Sequence, residues 1–172
     1  NGGPRLSIII VSWNNWPLLK QCVRSIHAST FDDYEIIVVD NASGDGTPDQ
    51  LRASFPDVRL LPLTRNIGHT RAVNMGIANA AGEYLLVLDM DTELRPRAIE
   101  HMMAFITSHP DAAVVAPRTL NTDGSVQESA RNLPSPVNAL FGRRSLLSKW
   151  FPNNVFVRRY LARQNIDSSS PF

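Results

Sequence analysis

Apolar runs alternate with amphipathic stretches over roughly the first two thirds of the chain. A near-continuous apolar run is typical of a strand buried on both faces, whereas apolar residues three and four positions apart are typical of a helix. By these criteria we predict strands at residues 6–11, 35–40, 59–63, 84–88 and 113–116. The helices predicted between them cover residues 16–26, 48–55, 70–81 and 96–108. This alternation favours an α/β fold with a mostly parallel sheet and helices on both faces.

Residues that begin, end or limit these elements are recognisable in the sequence. Asn15 is a suitable N-cap for the first helix, and Thr47 with Gln50 forms the pattern of a capping box at the second. Gly82 is placed to end the third helix. Pro62 lacks the N–H that a central strand needs, so we predict that its strand lies at an edge of the sheet.

The regular alternation ends near residue 131. Asp123-Gly124 favours a tight hairpin turn, and several prolines mark an irregular or partly helical stretch beyond it. We therefore divide the chain into an α/β region, residues 1–130, and a second region, residues 131–172.

Charge is distributed unevenly between these regions. Residues 131–172 contain seven basic residues and one acidic residue, a net charge of +6, and residues 1–130 have a net charge of −5. A basic tail with interspersed leucine and aromatic residues suits nucleic acid, a membrane surface or a phosphorylated substrate. A solvated helix face explains it equally well. No nucleic-acid recognition motif accompanies the tail, so we do not expect a nucleic-acid partner.

The composition is that of a soluble globular protein. Hydrophobic residues make up 43% of the 172 residues and charged residues 19%, and no apolar run is long enough to span a bilayer. The single cysteine, Cys22, excludes an intrachain disulfide bond and suits a reducing compartment, so we expect a cytoplasmic protein. Because Cys22 lies on the apolar side of the first helix, we predict a buried structural thiol.

Acidic and polar residues stand where the predicted strands end. Asp89-Met90-Asp91 follows one apolar run, Asp40 ends another, and Ser12 follows the first. The carboxyl ends of strands form the ligand-binding edge of an open α/β sheet. Two carboxylates one residue apart would repel each other. A bound Mg²⁺ or Mn²⁺ ion would offset this repulsion, and both ions prefer hard oxygen ligands such as carboxylates.

These residue types together suit a nucleoside diphosphate ligand. Asp40 can accept a hydrogen bond from a base N–H or a ribose hydroxyl, and the acid pair with its metal can hold a diphosphate. Gly68, after Asn66, lets the backbone approach a ligand closely, and the helix that carries Asn74 offers N–H groups to an anion.

A dinucleotide-dependent oxidoreductase is the alternative enzyme class for this fold. It requires a Gly-x-Gly-x-x-Gly turn after the first strand, but Ser12-Trp13-Asn14-Asn15 stands there instead. Trp13 suits stacking on a base and packing in the core equally well. The four histidines are not spaced in the sequence as metal ligands usually are. For His69, a polar residue at the protein surface is the simpler interpretation.

The motifs, taken together, resemble those of family 2 glycosyltransferases with the GT-A fold, a Rossmann-like architecture. The matching segments are residues 7–14, Val38 to Thr47, Asn66-Ile67-Gly68 with Asn74 to Ile77, and Leu86 to Asp91. The stretch from Asp123 to Pro136 further resembles the rhamnosyltransferase-like branch. The resemblance covers most of residues 6–136, and it implies a transferase that moves a sugar, hexosyl in type, from a UDP- or dTDP-sugar to an acceptor hydroxyl.

The resemblance also implies residue roles. Asp40 would bind the nucleotide base, Ser12 and Asn14 would line the base and ribose pocket, Asp89 would face the ribose or the metal, and Asp91 would ligate Mn²⁺ or Mg²⁺. Asn66, Gly68 and Asn74 would complete the donor site. The metal would stabilise the departing nucleoside diphosphate, and the reaction would invert the anomeric carbon.

The family's catalytic base lies in its second half, which this resemblance places beyond Phe172. We therefore expect the chain to be the donor-binding half of the fold, incomplete at the C-terminus, with residues 131–172 beginning the acceptor side. No catalytic base is assigned, and a non-catalytic module that binds nucleotide sugars stays open as an alternative.

The implied partners follow from the same resemblance. They are a nucleoside diphosphate sugar and a saccharide or lipid-linked acceptor of cell-wall or polysaccharide biosynthesis. The basic tail would allow peripheral contact with the inner face of the membrane.

Overall fold

The computed structural model describes residues 3–127 of the chain. The chain divides into two compact units, Asn1–Ala113 and Val114–Phe172. Among the described residues, the first unit contains the four helices and the four strands of the sheet, and the second, at residues 114–127, contains a hairpin turn. Residues 131–172, with the basic tail, lie outside the described part.

The first unit is an open parallel sheet with helical connections. Its strands are β1 (Leu6–Ser12), β2 (Tyr34–Asp40), β3 (Arg59–Pro62) and β4 (Tyr84–Asp89), and its helices are α1 (Trp16–His27), α2 (Thr47–Ser54), α3 (His69–Ala78) and α4 (Ala98–Ser108). The strand order is β3-β2-β1-β4, and every pairing is parallel. The predicted α/β class is confirmed, and Pro62 lies on an edge strand of this sheet as predicted.

Helices lie on both faces of the sheet, as the sequence predicts, although Leu85 and Val87 of β4 are nearly half exposed. On one face, buried side chains of α1, α2 and α4 pack with alternate residues of β1 and β2, including Ile8, Ile10 and Val38. On the other face, α3 packs against the intervening residues, including Ile37 and Val39. Burial on both faces explains why these strands are apolar at nearly every position.

Several predicted boundaries of the first unit differ from the structure by a few residues, and two of these differences have an identifiable cause. The third helix ends at Ala78 instead of continuing to residue 81, and the Asn79 side chain donates to the Met75 carbonyl at 2.9 Å. Gly82 therefore does not end the helix. A Cβ atom there would lie 2.5 Å from the Ser7 backbone nitrogen, so close packing against the start of β1 requires glycine.

The start of α2 also differs from the prediction. Its N-cap is Gly46, at a φ of +80°, and not Thr47, so the predicted capping box does not form. Asp45 instead accepts a hydrogen bond from the Thr47 N–H at 3.0 Å. The nearby Thr47 hydroxyl and the hydrogen bond from the Thr47 N–H lower the pKa of Asp45, which thus stabilises the turn. Asn15 does cap α1 as predicted, accepting from the Leu18 N–H at 3.3 Å.

The described part of the second unit contradicts one prediction and confirms another. Residues 113–116 form no strand and pair with none among the described residues, and Val114 is 83% exposed. The predicted hairpin is present, because Leu120 and Val126 form an antiparallel bridge around a turn with Gly124 at a φ of +82°. Across residues 3–127, the helices are all too short or too polar to cross a membrane.

Candidate functional site

A cleft of about 380 Å³ opens at the carboxyl edge of the sheet. The ends of β1 and β4, the loops after β2 and β3, and the first residue of α3 form its walls. Its lining residues are Val11, Ser12, Trp13, Asn41, Asn66, His69, Asp89, Met90 and Asp91. A second cleft, of about 570 Å³, lies beside α1 and is lined by residues between Pro17 and Ser25 and by Glu93, so it contains none of the residues at the ends of the strands.

Asp89 and Asp91 are exposed to the cleft. The Asp89 side chain is 71% exposed, and its Oδ1 atom lies 3.2 Å from Nε2 of His69. Asp89 pairs in register with Val11, whose side chain packs with α3, so both side chains belong to the α3 face of the sheet. The predicted acid pair therefore lies at the carboxyl edge, beside the N-terminus of α3.

Asp40 lies at the same edge but on the opposite face. It pairs in register with Ser12, whose hydroxyl donates to Asp40 Oδ1 at 3.2 Å. The Ser43 hydroxyl donates to the same oxygen at 2.6 Å, and the Ser43 N–H donates to Oδ2 at 2.9 Å. Asp40 is only 2% exposed, and these three donors from within the protein surround its carboxylate.

Two loops at this edge are joined by side-chain hydrogen bonds. The Ser43 hydroxyl accepts from the Asn14 N–H at 2.9 Å, and the Asn14 side chain accepts from the Gly44 N–H at 2.7 Å. Asn14 and Ala42 have positive φ angles of 49° and 64°, which are unusual for residues other than glycine. Backbone strain of this kind persists where surrounding bonds hold it, and it concentrates at functional sites.

Asn41 connects the end of β2 to the loop before α3. Its side chain donates to Asn66 Oδ1 at 3.0 Å and accepts from the Ile67 N–H at 2.9 Å. Asn66 Oδ1 also accepts from the Gly68 N–H at 2.9 Å. These bonds fix the loop that leads into His69.

The N-terminus of α3 faces this edge without a side-chain cap. Gly68 is its N-cap residue, at a φ of +82°, and no side chain accepts from the first turn of the helix. Nothing lies within 4 Å of the position that a Cβ atom of Gly68 would occupy. The predicted open approach to the backbone at Gly68 is present, next to uncapped N–H groups of the kind that bind anions.

Asp89 and Asp91 can supply some, but not all, of the ligands of a divalent cation. Their carboxylates are hard oxygen donors at an exposed edge, which fits Mg²⁺ or Mn²⁺. Within residues 3–127, no group of three or more His, Cys, Asp or Glu side chains is arranged to hold a metal ion. A metal held by this pair would therefore take its other ligands from water and from a bound ligand such as a diphosphate.

Cys22 lies in α1, close to the backbone of Asp89. Its Sγ atom is 3.9 Å from the Asp89 carbonyl oxygen, and the residue is fully buried. Burial, with the nearby charges of Asp91 and Glu93, raises the pKa of the thiol to about 12. The thiol is therefore protonated near neutral pH, which agrees with the predicted structural role.

The structure brings together some of the predicted site residues and separates others. Ser12, Asn66, Asp89 and Asp91 line the cleft, whereas Asn14, Asp40, Gly68 and Asn74 are not among its lining residues. The roles assigned to these residues stay predictions. Among the polar cleft residues, sequence reasoning gave Asn41 no role and interpreted His69 as surface polarity, although both lie within or beside the motifs that it used.

Exposure decides the interpretation of Trp13 and of Asn41. Trp13 is 52% exposed and lines the cleft, so packing in the core is excluded. Asn41, which begins a possible glycosylation sequence with Ala42 and Ser43, is 3% exposed and hydrogen-bonded within the protein. Burial leaves no room for a glycan at Asn41 in the folded chain.

The family follows from a comparison with known protein families. The sequence profile of glycosyl transferase family 2 matches residues 7–165, which is most of the chain. The chain belongs to glycosyl transferase family 2. This confirms the resemblance drawn from the motifs of the strand ends.

Similar curated proteins come from several bacteria. The N-acetylglucosaminyl-diphospho-decaprenol L-rhamnosyltransferase of Mycobacterium tuberculosis is 29% identical over 177 residues, which cover 96% of this chain and 57% of that protein. The uncharacterized glycosyltransferase YwdF of Bacillus subtilis is 30% identical, over 91% of this chain and 59% of its own length. This family 2 chain therefore spans little more than half the length of these relatives.

Similar solved structures have the GT-A fold, which confirms the predicted fold class. S. aureus TarS superposes with a TM-score of 0.58 at 20% identity, over 68% of this chain and 40% of that chain. The mannosyltransferase PcManGT from Pyrobaculum calidifontis, in complex with GDP-Man and Mn²⁺, superposes with a TM-score of 0.55 at 27% identity. This match covers 60% of the family 2 chain and 32% of PcManGT.

Proposed function

We propose that the cleft binds the nucleoside diphosphate sugar of a metal-dependent glycosyltransferase. The observation that carries the proposal is the exposed pair Asp89 and Asp91 beside the uncapped N-terminus of α3. Family membership gives the reaction class, and PcManGT, solved with a nucleotide sugar and Mn²⁺, supports the ligand and the metal. The cleft combines negative carboxylates with backbone donors, which suits a metal-bound diphosphate.

The diphosphate would lie between the acid pair and α3. Asp91 and Asp89 would hold Mn²⁺ or Mg²⁺, which when bound neutralises negative charge on the departing nucleoside diphosphate. Backbone N–H groups after Gly68 would donate to phosphate oxygens, and their placement depends on the hydrogen bonds between Asn41, Asn66 and Gly68. Without a metal, the two carboxylates would repel the diphosphate.

The nucleoside would occupy the part of the cleft near β1. Trp13 offers an exposed aromatic face on which a base can stack, and Ser12 lies next to it in the lining. Asn14 and Asp40 shape this region through the Ser43 loop. The geometry favours an indirect role for Asp40, because three donors in the protein already occupy its carboxylate. We keep UDP and dTDP as the proposed nucleotides.

The acceptor is proposed from the name of a relative. The mycobacterial relative is named for a decaprenol-linked substrate, which supports a lipid-linked saccharide acceptor. Inversion at the anomeric carbon requires a base that takes the proton of the acceptor hydroxyl, and we assign none within residues 3–127. The reaction would take place in the cytoplasm, next to the membrane that carries the acceptor.

Calorimetric titration with UDP, dTDP and GDP, with and without Mn²⁺, tests the proposal. We expect Mn²⁺ to tighten binding of the preferred nucleotide by about tenfold or more. Asp91→Asn should remove most of that gain. The matched control is Asp32→Asn, since Asp32 is an exposed acid just before β2, at the opposite edge of the sheet. Equal affinity with and without Mn²⁺ would refute the metal role.

A second assay separates a transferase from a binding module without catalysis. The release of nucleotide from a nucleotide sugar is followed with and without a lipid-linked saccharide acceptor. Acceptor-dependent release supports the transferase, whereas tight donor binding without any release would favour the binding module.

A further inference from the structure

We propose that His69 is a positioning residue of the donor site, which holds Asp89 across the cleft. The proposal rests on the function proposed above. His69 is the first residue of α3 and lines the same cleft as Asp89 and Asp91. Its Nε2 atom lies 3.2 Å from Asp89 Oδ1, so an imidazole that carries a proton on Nε2 attracts that oxygen across the cleft.

The contact restricts one carboxylate oxygen and leaves the other available. Asp89 stands at the end of β4 with a side chain that is largely exposed, so the strand alone does not fix its rotamer. Engaging Oδ1 by His69 would direct Oδ2 towards a metal or a ribose hydroxyl. The entropy cost of ordering the Asp89 side chain would then be met before the donor binds, which favours donor binding.

The backbone that leads into His69 is held from the opposite side of the cleft. Asn41, at the end of β2, holds Asn66 and Ile67, and Asn66 holds the Gly68 N–H immediately before His69. A continuous chain of contacts therefore runs from the end of β2 through the start of α3 to the end of β4. Asp89 is thus oriented relative to the whole carboxyl edge and not only to its own strand.

A purely stabilising ion pair is the competing explanation, and the two differ in what they predict. His69 and Asp89 are both more than half exposed, and exposed pairs contribute little to folding stability. Removing the His69 side chain should therefore leave the unfolding midpoint nearly unchanged. Metal-dependent nucleotide binding should still weaken.

The test compares His69→Ala and His69→Gln with the wild-type chain by calorimetry, using the tightest of UDP, dTDP and GDP. We expect His69→Ala to weaken binding in Mn²⁺ by about tenfold, with little change in its absence. Glutamine places an amide N–H near the position of Nε2, so it should restore affinity to within about threefold of wild type. A matched control is His27→Ala, because His27 also contacts a carboxylate, Asp57 at 2.9 Å, but at the end of α1.

A double-mutant comparison tests whether His69 acts through Asp89. In an Asp89→Ala background, the additional change His69→Ala should cause no further loss of affinity. Equal binding by the wild-type and His69→Ala chains would overturn the positioning role while leaving the proposed function intact. An absence of Mn²⁺-dependent binding in the wild-type chain would overturn both. A full additional loss in the Asp89→Ala background would overturn the positioning role in favour of a direct contact between His69 and the ligand.

Discussion

At the scale of single residues, Asp40 shows how a buried carboxylate organises the candidate site. It is the only buried acidic residue within residues 3–127, and donors from Ser12 and Ser43 surround it. We expect Asp40→Ala to lower the free energy of unfolding by about 1–3 kcal/mol, because three donors lose their acceptor. Urea unfolding followed by circular dichroism measures the change.

The control for this prediction is an exposed acid. Asp49 forms only a surface pair with Arg52, so Asp49→Ala should change the free energy of unfolding by less than about 1 kcal/mol. If Asp40→Ala were as stable as wild type but bound nucleotide more weakly, the indirect role of Asp40 would be wrong. The direct base contact implied by the family resemblance would then be the better explanation.

The thiol of Cys22 gives a second prediction at this scale. Burial raises its pKa to about 12, so at neutral to mildly alkaline pH the thiolate is a very small fraction of the folded protein. Iodoacetamide should therefore leave Cys22 unmodified in the native chain and modify it in urea, as followed by mass spectrometry. Rapid native modification at mildly alkaline pH would contradict the buried placement.

The sequence predicted the edge of the sheet at which Asp40 and Asp89 lie, but not the face of the sheet on which each side chain lies. Both end strands that are apolar at nearly every position, although of these two strands only β2 is buried on both faces, whereas Leu85 and Val87 of β4 are 47% and 44% exposed. Without alternation between apolar and polar residues, the sequence does not show which way the last side chain points. The register of β1 with its two neighbours decides this, and it puts Asp40 and Asp89 on opposite faces.

At the scale of elements, the packing of α3 on the sheet depends on Gly76. A Cβ atom at this position would lie 2.5 Å from Ile9 Cγ2 and 3.3 Å from Val39 Cγ2. We expect Gly76→Ala to destabilise the fold by about 1–3 kcal/mol through overpacking. Because α3 presents His69 and the uncapped N–H groups, the variant should also weaken nucleotide binding.

Gly44→Ala is the matched control for Gly76→Ala. No atom lies within 4 Å of the Cβ position of Gly44, and its φ is not positive. Thermal unfolding of both variants should therefore show a lowered midpoint for Gly76→Ala alone. An unchanged midpoint for Gly76→Ala would mean that α3 can move away from β1 at little cost.

Strand and helix identities were predictable from the sequence where the apolar signal was long. Within residues 3–127, the four strands of the sheet and the four helices were predicted, with boundaries that differ by a few residues. Residues 113–116 were predicted wrongly, since a run of four apolar residues does not itself specify a pairing partner. The start of α2 was misplaced because the capping signal of Thr47 competes with the turn at Asp45 and Gly46.

At the scale of the whole molecule, the distribution of charge carries a prediction outside the described residues. The basic tail, with a net charge of +6 over residues 131–172, should draw the chain to anionic membranes. Co-sedimentation with vesicles should rise with their content of anionic lipid and fall steeply with salt. A chain ending at residue 130 is the comparison, and equal sedimentation of both chains would exclude this role.

Metal-dependent binding at the acid pair is the central claim, and NMR with paramagnetic Mn²⁺ locates it most directly. With nucleotide present, Mn²⁺ should broaden the signals of Trp13, Gly68 and His69, which lie around Asp89 and Asp91. Signals of Ala81 and Gly82, before β4 at the opposite edge, should stay sharp, and Asp91→Asn should abolish the selective broadening. Broadening centred elsewhere, or unchanged in Asp91→Asn, would contradict a donor site at this cleft.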